Sequence, residues 1–276
     1  MSATTGPYRY VAVGDSQTEG LGDGDETAGW RGWADRLAET IAAHEPGLRY
    51  ANLAVRGRLA GQVRAEQLAP ALALRPDLVS VVAGMNDLMR PGFDAAETVA
   101  ELDAMFAAFT ASGARVLTFT FPDIGRIAPP ARALRPRVLD LNARIRATAE
   151  HRGVVVVDFF RHEVTSDPRM WSADRLHASP LGHAGIAAAA AEALALPGSD
   201  GGWAEPLPPL PATGAGRRAA QEAAWIGTFL GPWLMRRLRG RSSGDGRVAK
   251  RPDLRPVEAP RPVEAPRPVE APRPAH

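Results

Sequence analysis

The sequence predicts an α/β fold built on a parallel, doubly wound sheet. Three observations lead there. Five short, nearly continuous apolar runs are spread along the first 160 residues, apolar residues recur at helical spacing between them, and the two patterns alternate throughout. The runs are Tyr10–Val13, Arg49–Leu53, Leu78–Ala83, Val116–Phe121 and Val154–Asp158. Most are rich in β-branched residues and lack polar alternation, as strands covered on both faces should. Trp30, Trp33, Leu37 and Ile41 mark a first helical face, and Leu102, Met105, Phe106 and Phe109 a second. Val138, Leu141 and Ile145 mark a third, with Pro136 placed to start that helix. After Ser179-Pro180 an alanine-rich helix is expected to run to about Leu196, with Ser179 as its N-cap. Alternating strands and helices imply right-handed crossovers, hence parallel strands.

This pattern ends near Pro197, so residues 1–197 are expected to form one domain. Residues 198–216 are rich in glycine and proline and read as a linker. Residues 217–239 place Trp225, Ile226, Phe229, Leu230, Trp233, Leu234 and Leu238 beside several arginines, which predicts a basic amphipathic helix that Pro232 should kink or split. Two readings of that helix stand side by side: its stripe packs back on the domain or on a partner, or it rests on a membrane surface. From Gly240 to His276 the chain is of low complexity. Arg-Pro-Val-Glu-Ala-Pro starts at Arg255, Arg261 and Arg267, and this stretch is expected to be a solvated, disordered tail, whose prolines would also suit a docking ligand.

Composition narrows the chemistry. The 276 residues contain no cysteine, which excludes disulfides, thiolate metal sites and cysteine nucleophiles. The single lysine, Lys250, lies in the proline-rich tail, so neither a Schiff base nor a phosphate-loop lysine belongs to the domain. The net charge of +2 is uneven: 13 basic and 6 acidic residues follow position 216, while 20 basic and 25 acidic residues precede it. The domain is mildly acidic and gives no reason to expect a nucleic acid partner. No signal-peptide pattern opens the chain and no run of about 18 apolar residues occurs. The expected location is cytoplasmic.

Four short motifs each follow a predicted strand, the end of a doubly wound sheet at which ligands bind. Gly14-Asp15-Ser16-Gln17-Thr18-Glu19-Gly20 puts Ser16 at a strand-to-helix turn, where a hydroxyl can face solvent and its own N–H can meet a developing oxyanion. It is not the G-x-S-x-G elbow, because Thr18 replaces the last glycine. In Arg56-Gly57 the glycine allows a backbone N–H close to a ligand, or simply makes a turn. In Gly84-Met85-Asn86-Asp87 the amide of Asn86 suits oxyanion donation, and Asn-Asp equally suits a helix cap. In Asp174-Arg175-Leu176-His177 a carboxylate lies three residues before an imidazole, so one tight turn can supply a base and the acid that orients it. Of the six histidines, His44 and His151 lie near helix C-termini and His276 in the tail. His162 and His183 are harder to dismiss, but neither has the acidic partner and loop position of His177.

The ordered set of four motifs resembles the SGNH, or GDSL-type, hydrolases across roughly residues 8–196. The resemblance rests on Gly14-Asp15-Ser16 with Thr18 and Gly20, on Gly57, on Gly84 and Asn86, and on Asp174 with His177. It implies a flavodoxin-like three-layer α/β/α sandwich with a five-stranded parallel sheet. It also implies hydrolysis of carboxylic esters, or removal of O-acyl groups, with no metal and no cofactor. Ser16 would be the nucleophile and one oxyanion donor, Gly57 and Asn86 the other donors, His177 the base and Asp174 its orienting acid. An acyltransferase would use the same residues with an alcohol in place of water. A metal site drawn from Asp158, His162, Asp174, His177 and His183 and a catalytically silent binding module are the remaining readings. Residues 21–29, 88–94 and 123–135 should wall the site, and their mixture of apolar and charged residues does not choose among short esters, lipids and acetylated sugars.

Overall fold

Each of the five apolar runs forms a strand of the main sheet, which gains a sixth that the sequence did not suggest. The structure is a computed structural model that describes residues 6–211, 214–239 and 242–258. Its elements begin with β1 (Arg9–Gly14), α1 (Ser16–Glu19), a two-residue ladder of β2 (Gly24–Asp25) and β3 (Gly29–Trp30), and α2 (Trp33–Ala42). They continue with β4 (Arg49–Asn52), α3 (Ala60–Ala73), β5 (Leu78–Val82), α4 (Met85–Leu88), α5 (Ala95–Ala111) and β6 (Arg115–Phe119). Then come α6 (Ile124–Ile127), α7 (Arg135–Arg152), β7 (Val155–Val157) and α8 (Pro180–Ala193), and finally α9 (Ala215–Trp225), α10 (Gly231–Leu238) and β8 (Arg251–Pro256).

The main sheet has the order β7-β6-β5-β1-β4-β8. The five strands from β7 to β4 are parallel, and β8 runs antiparallel to β4. Two apolar layers cover the sheet because neighbouring residues of a strand point to opposite faces. Val11 and Val13 of β1 join Val79 and Val81 under α3, α5 and α7, where Leu102, Met105, Phe106 and Leu141 are buried. Tyr10 and Ala12 join Leu117 and Phe119 on the other face, against Trp33, Leu37 and Ile41 of α2 and the alanines of α8. The expected helix starts hold as well: Ser179 Oγ accepts from the Gly182 N–H at 3.1 Å, and Pro136 lies in the first turn of α7. Helix α3 escaped the sequence pattern because its buried residues, Ala60, Val63, Gln67 and Ala71, make a weak stripe and Pro70 lies on its exposed side.

The expectation of a five-stranded, wholly parallel sheet is corrected by β8, as is that of a tail solvated from residue 240 onward. Proline removes a ladder donor, which a central strand cannot spare but an edge strand can. Pro252 and Pro256 therefore do not prevent β8 from pairing, with Tyr50 opposite Arg255 and Asn52 opposite Arg251. The Arg251 guanidinium donates to the Tyr50 carbonyl at 2.9 Å, and Lys250 Nζ reaches Asp35 Oδ2 at 2.6 Å. Residues 259–276, which hold two of the three tail repeats whole, lie outside the described residues.

The expected linker also begins later than residue 198. Gly201–Ala204 forms a 3-10 turn that packs Trp203 edge-on to Phe159, with ring centroids 5.7 Å apart. Pro232 does not split the helix around it. The chain stays helical from Ala215 to Leu238, and the misfit is absorbed by a π-helical turn at Ile226–Leu230 just ahead of the proline. Trp225 of α9 is buried on the domain, while Ile226, Phe229, Leu234 and Met235 are exposed. Among the described residues, no helix is long and apolar enough to cross a membrane.

Candidate active site

The chain departs β1 toward one neighbour, β4, and then crosses to the other, β5, so the order of strands reverses beside β1. A crevice opens beyond the carboxyl ends of the strands at such a reversal. Three of the four sequence motifs leave β1, β4 and β5 there, and the fourth lies in the loop between β7 and α8.

Gly14 ends β1 where a side chain would collide with the Val82 carbonyl and Thr18, so the chain can turn into α1 only with glycine at this position. Asp15 caps α1, its Oδ1 accepting from the Gln17 N–H at 3.3 Å, and Ser16 is the first residue of that helix. Gln17 then makes two bonds across the crevice. Its Nε2 donates to the Leu176 carbonyl at 2.8 Å and its Oε1 accepts from the Ala178 N–H at 3.3 Å. The residue after Ser16 is thereby fastened to both chain neighbours of His177.

The loop holding His177 is organised by Asp174. Its Oδ2 accepts from His177 Nδ1 at 2.6 Å, while Oδ1 accepts from Ser172 Oγ at 2.6 Å and from the N–H groups of Leu176 and His177 at 2.9 and 3.0 Å. Burial works to raise the carboxyl, but the hydrogen bond and charge of His177, with the backbone and Ser172 donors, outweigh it and hold Asp174 well below the usual carboxylate range. The imidazole therefore carries its proton on Nδ1, and Nε2 is left to accept one.

Asn86 is the junction of the remaining motifs. Its Nδ2 donates to Asp15 Oδ2 and to the Arg58 carbonyl, both at 3.1 Å, linking the neighbours of Ser16 and Gly57. Both amide hydrogens are thus engaged, so donation to an oxyanion requires Asn86 to exchange one of these partners. The helix-cap reading of Asn-Asp applies to the second residue: Asp87 Oδ2 accepts from the Ala60 N–H at 3.0 Å, at the start of α3. Gly57 has φ +75°, a left-handed conformation that turns the backbone beyond β4.

Three polar residues matter here that the motif reading quoted without assigning a role. Gln17 is the clamp just described. Glu19 is buried against Arg56, with Arg56 Nε donating to its Oε1 at 2.9 Å and the Arg56 N–H to its Oε2 at 2.7 Å, which ties α1 to the turn carrying Gly57. Asp15 is buried beside the serine. Desolvation pushes its carboxyl up to about 7, against the pull of the Gln17 N–H, His177 and Asn86 and with the push of Asp87. Two carboxyls of one site are thus driven apart, Asp174 down and Asp15 up. The opposite charges of Glu19 and Arg56 were visible in the sequence, but nothing in their spacing paired them.

The other histidines are accounted for differently. His183 is buried in α8, where Nδ1 accepts from the Trp33 N–H at 3.1 Å and Nε2 donates to the Leu21 carbonyl at 2.9 Å. Burial presses its imidazole down to about 4. Because the unfolded chain protonates near 6.5 and the folded chain near 4, acidification across that window favours unfolding. His183→Gln keeps both hydrogen bonds but not the titration. Its stability relative to wild type should therefore improve by about 3 kcal/mol between pH 7 and pH 4, measured by urea unfolding. His162 lies against Trp203. Asp158 is bound to Arg146 and Thr120. Among the described residues no three His, Asp or Glu side chains gather as a metal would require, so the five suggested donors do not form one set.

A sequence model described as the GDSL-like Lipase/Acylhydrolase family matches residues 12–184. No curated protein matches the sequence. Among solved structures, an alpha/beta hydrolase enzyme, LAE5, from the metagenome of Lake Arreo, Spain, superposes with TM-score 0.57 at 24% identity, over 70% of this chain and 97% of that one. A variant of the acetyl xylan esterase Axe2 from Geobacillus stearothermophilus gives TM-score 0.59 at 22% identity, over 71% and 97%. The lipase/acylhydrolase from Enterococcus faecalis gives 0.55 at 23% identity, over 66% and 92%. These likenesses show a shared fold.

Proposed function

We propose, from the premise that this chain belongs to the GDSL-like lipase/acylhydrolase family, that it hydrolyses carboxylic esters or removes O-acyl groups through an acyl-enzyme on Ser16. The observation that carries this reading is the clamp of Gln17 on both neighbours of His177, which brings the serine-bearing turn to the imidazole-bearing loop. His177 Nε2 takes the hydroxyl proton as Ser16 Oγ attacks the acyl carbon, and the imidazolium is stabilised by Asp174. The N–H groups of Ser16 and Gly57 and the Asn86 amide hold the tetrahedral oxyanion. The imidazolium then gives its proton to the leaving alkoxide as the C–O bond breaks. Water, deprotonated by the same nitrogen, attacks the acyl carbon and releases the acid and Ser16.

A panel varying acyl length and alcohol group, including acetylated sugars, read together with fluorophosphonate labelling of Ser16, tests the reading. Ester turnover without labelling at Ser16 would overturn it. An alcohol acceptor that outcompetes water in product analysis would instead identify acyl transfer.

Asn86 adds a separate prediction. Asn86→Ala should lower kcat by about 10² to 10³, the usual loss for one oxyanion donor. Turnover kinetics at saturating ester measure it, and an unchanged kcat removes Asn86 from that role.

A further inference from the structure

The turn that presents the acid and the base is strained, and part of its fastening comes from a stretch of the chain outside the family match. Arg175, between Asp174 and Leu176, has φ +57°. A residue with a Cβ adopts that left-handed conformation reluctantly, so something must hold it there. The turn's own bonds do part of this, with the Arg175 N–H donating to the Ser172 carbonyl at 2.9 Å and the Ser172 N–H to the His177 carbonyl at 2.8 Å. The Asp174 carboxylate and the Gln17 clamp add to it, and α9 adds a further hold. Arg175 Nη1 donates to Glu222 Oε2 at 2.8 Å, and the guanidinium lies over the Trp225 ring, 4.7 Å from its centroid. Trp225 Nε1 donates to the Asp174 carbonyl at 3.1 Å, the oxygen of the very peptide that leads into Arg175. Both ends of the strained step, the peptide before it and the side chain on it, are held by one face of one helix.

The described segment that follows the helix, residues 242–258, is anchored on the domain. Arg247 donates to Glu26 Oε2 at 2.7 Å, and Glu26 Oε1 accepts from Arg56 Nη1 at 2.8 Å, one residue before Gly57. Gly244 packs so closely on the Arg56 carbonyl that a side chain there would collide with it. Beyond it, β8 closes the attachment to the sheet. Within α9, Trp225 is the one buried residue, which makes this contact the place where the helix seats.

We infer that residues 215–239 and 242–258 form an intramolecular brace, with Glu222 and Trp225 as positioning residues that hold the Asp174–His177 turn in its working conformation. Neither side chain touches the reacting atoms. Their effect passes through Arg175 and the Asp174 peptide to the direction of the His177 ring. The inference rests on His177 being the base, as proposed above.

A charge exchange in the full-length chain tests it. Glu222→Arg should lower kcat about tenfold with KM within about twofold, since a small misdirection of a catalytic group is costly while substrate contacts are untouched. Arg175→Glu in the same chain should restore most of the loss by re-forming the ion pair in reverse. Trp225→Ala should lower kcat by about 10- to 100-fold, and Trp225→Phe, which keeps the ring under Arg175 but not the N–H, should fall between it and wild type. The rate of Ser16 labelling by a fluorophosphonate should fall in step with kcat. A merely structural helix would shift Tm without this kcat-specific loss or its rescue.

Unchanged kcat and labelling in Glu222→Arg and Trp225→Ala, in the presence of a labelled wild type, would overturn the brace alone. A loss in Glu222→Arg that Arg175→Glu leaves uncorrected would do the same. A wild type that turns over ester with Ser16 unlabelled would remove the underlying mechanism and the brace with it. If Trp225→Ala fails to fold, the exchange between the two partly exposed charges decides the matter.

Discussion

Ser16→Ala should lower kcat by about 10⁶-fold and abolish labelling by a fluorophosphonate. The magnitude is that of removing the nucleophile from a serine hydrolase, where the residual rate over water comes from the oxyanion donors and substrate binding alone. The substitution removes one oxygen from a residue that is already nearly buried at the start of α1. The Asp15 cap and both Gln17 bonds across the crevice use atoms outside the Ser16 side chain, so the scaffold should survive and Tm should change little. Burst kinetics with a chromogenic ester check the claim. A burst of product in the alanine variant, equal to one per chain, would assign the acyl-enzyme to another residue.

The second large effect belongs to Asp174→Asn, for which kcat should fall by about 10⁴. Asparagine is close in shape and its carbonyl can keep accepting from Ser172, Leu176 and the His177 N–H, so the turn is preserved. What changes is the group facing Nδ1. An amide nitrogen there is a donor, and the imidazole must turn its proton to Nε2 to accept from it. The nitrogen that should receive the Ser16 proton is then already occupied. Because the hydrogen bonds and charge around Asp174 outweigh burial and keep it ionised far into acid, its own titration does not enter between pH 5 and 9, and the loss should persist across that range. Steady-state rates across that range measure it, and recovery of activity at either end would show that Asp174 acts by charge titration instead of by fixing the tautomer.

Much of the layout of this candidate site was legible in the sequence. Four short motifs, three of them with a glycine and each after an apolar run, could meet only if the runs lay side by side, and parallel strands make their carboxyl ends coincide. The order Ser16, Gly57, Asn86, Asp174-His177 therefore carried spatial information that no one motif held. What stayed hidden was of two kinds. Gln17, Glu19 and Arg56 act by pairing across long stretches of sequence, and a polar residue's partner leaves no periodic trace. The strand β8 was hidden by proline, which marks disorder in most contexts and is compatible with pairing only at an edge, a position the local sequence does not announce. The place of α9 was half visible: the apolar stripe predicted packing, but Trp225 packs through an N–H and a ring face that a pattern of hydrophobicity does not distinguish from leucine.

The strand β8 has one more consequence. A parallel sheet whose outermost member is β4 would offer a row of unsatisfied backbone groups to any extended chain, including another copy of itself. With β8 in place, that boundary is formed by Arg-Pro-Asp-Leu-Arg-Pro, in which two positions have no amide hydrogen and three carry charge. Such a rim is a poor template for further growth, so the proline-rich segment both extends the sheet by one strand and resists its propagation into oligomers or fibres.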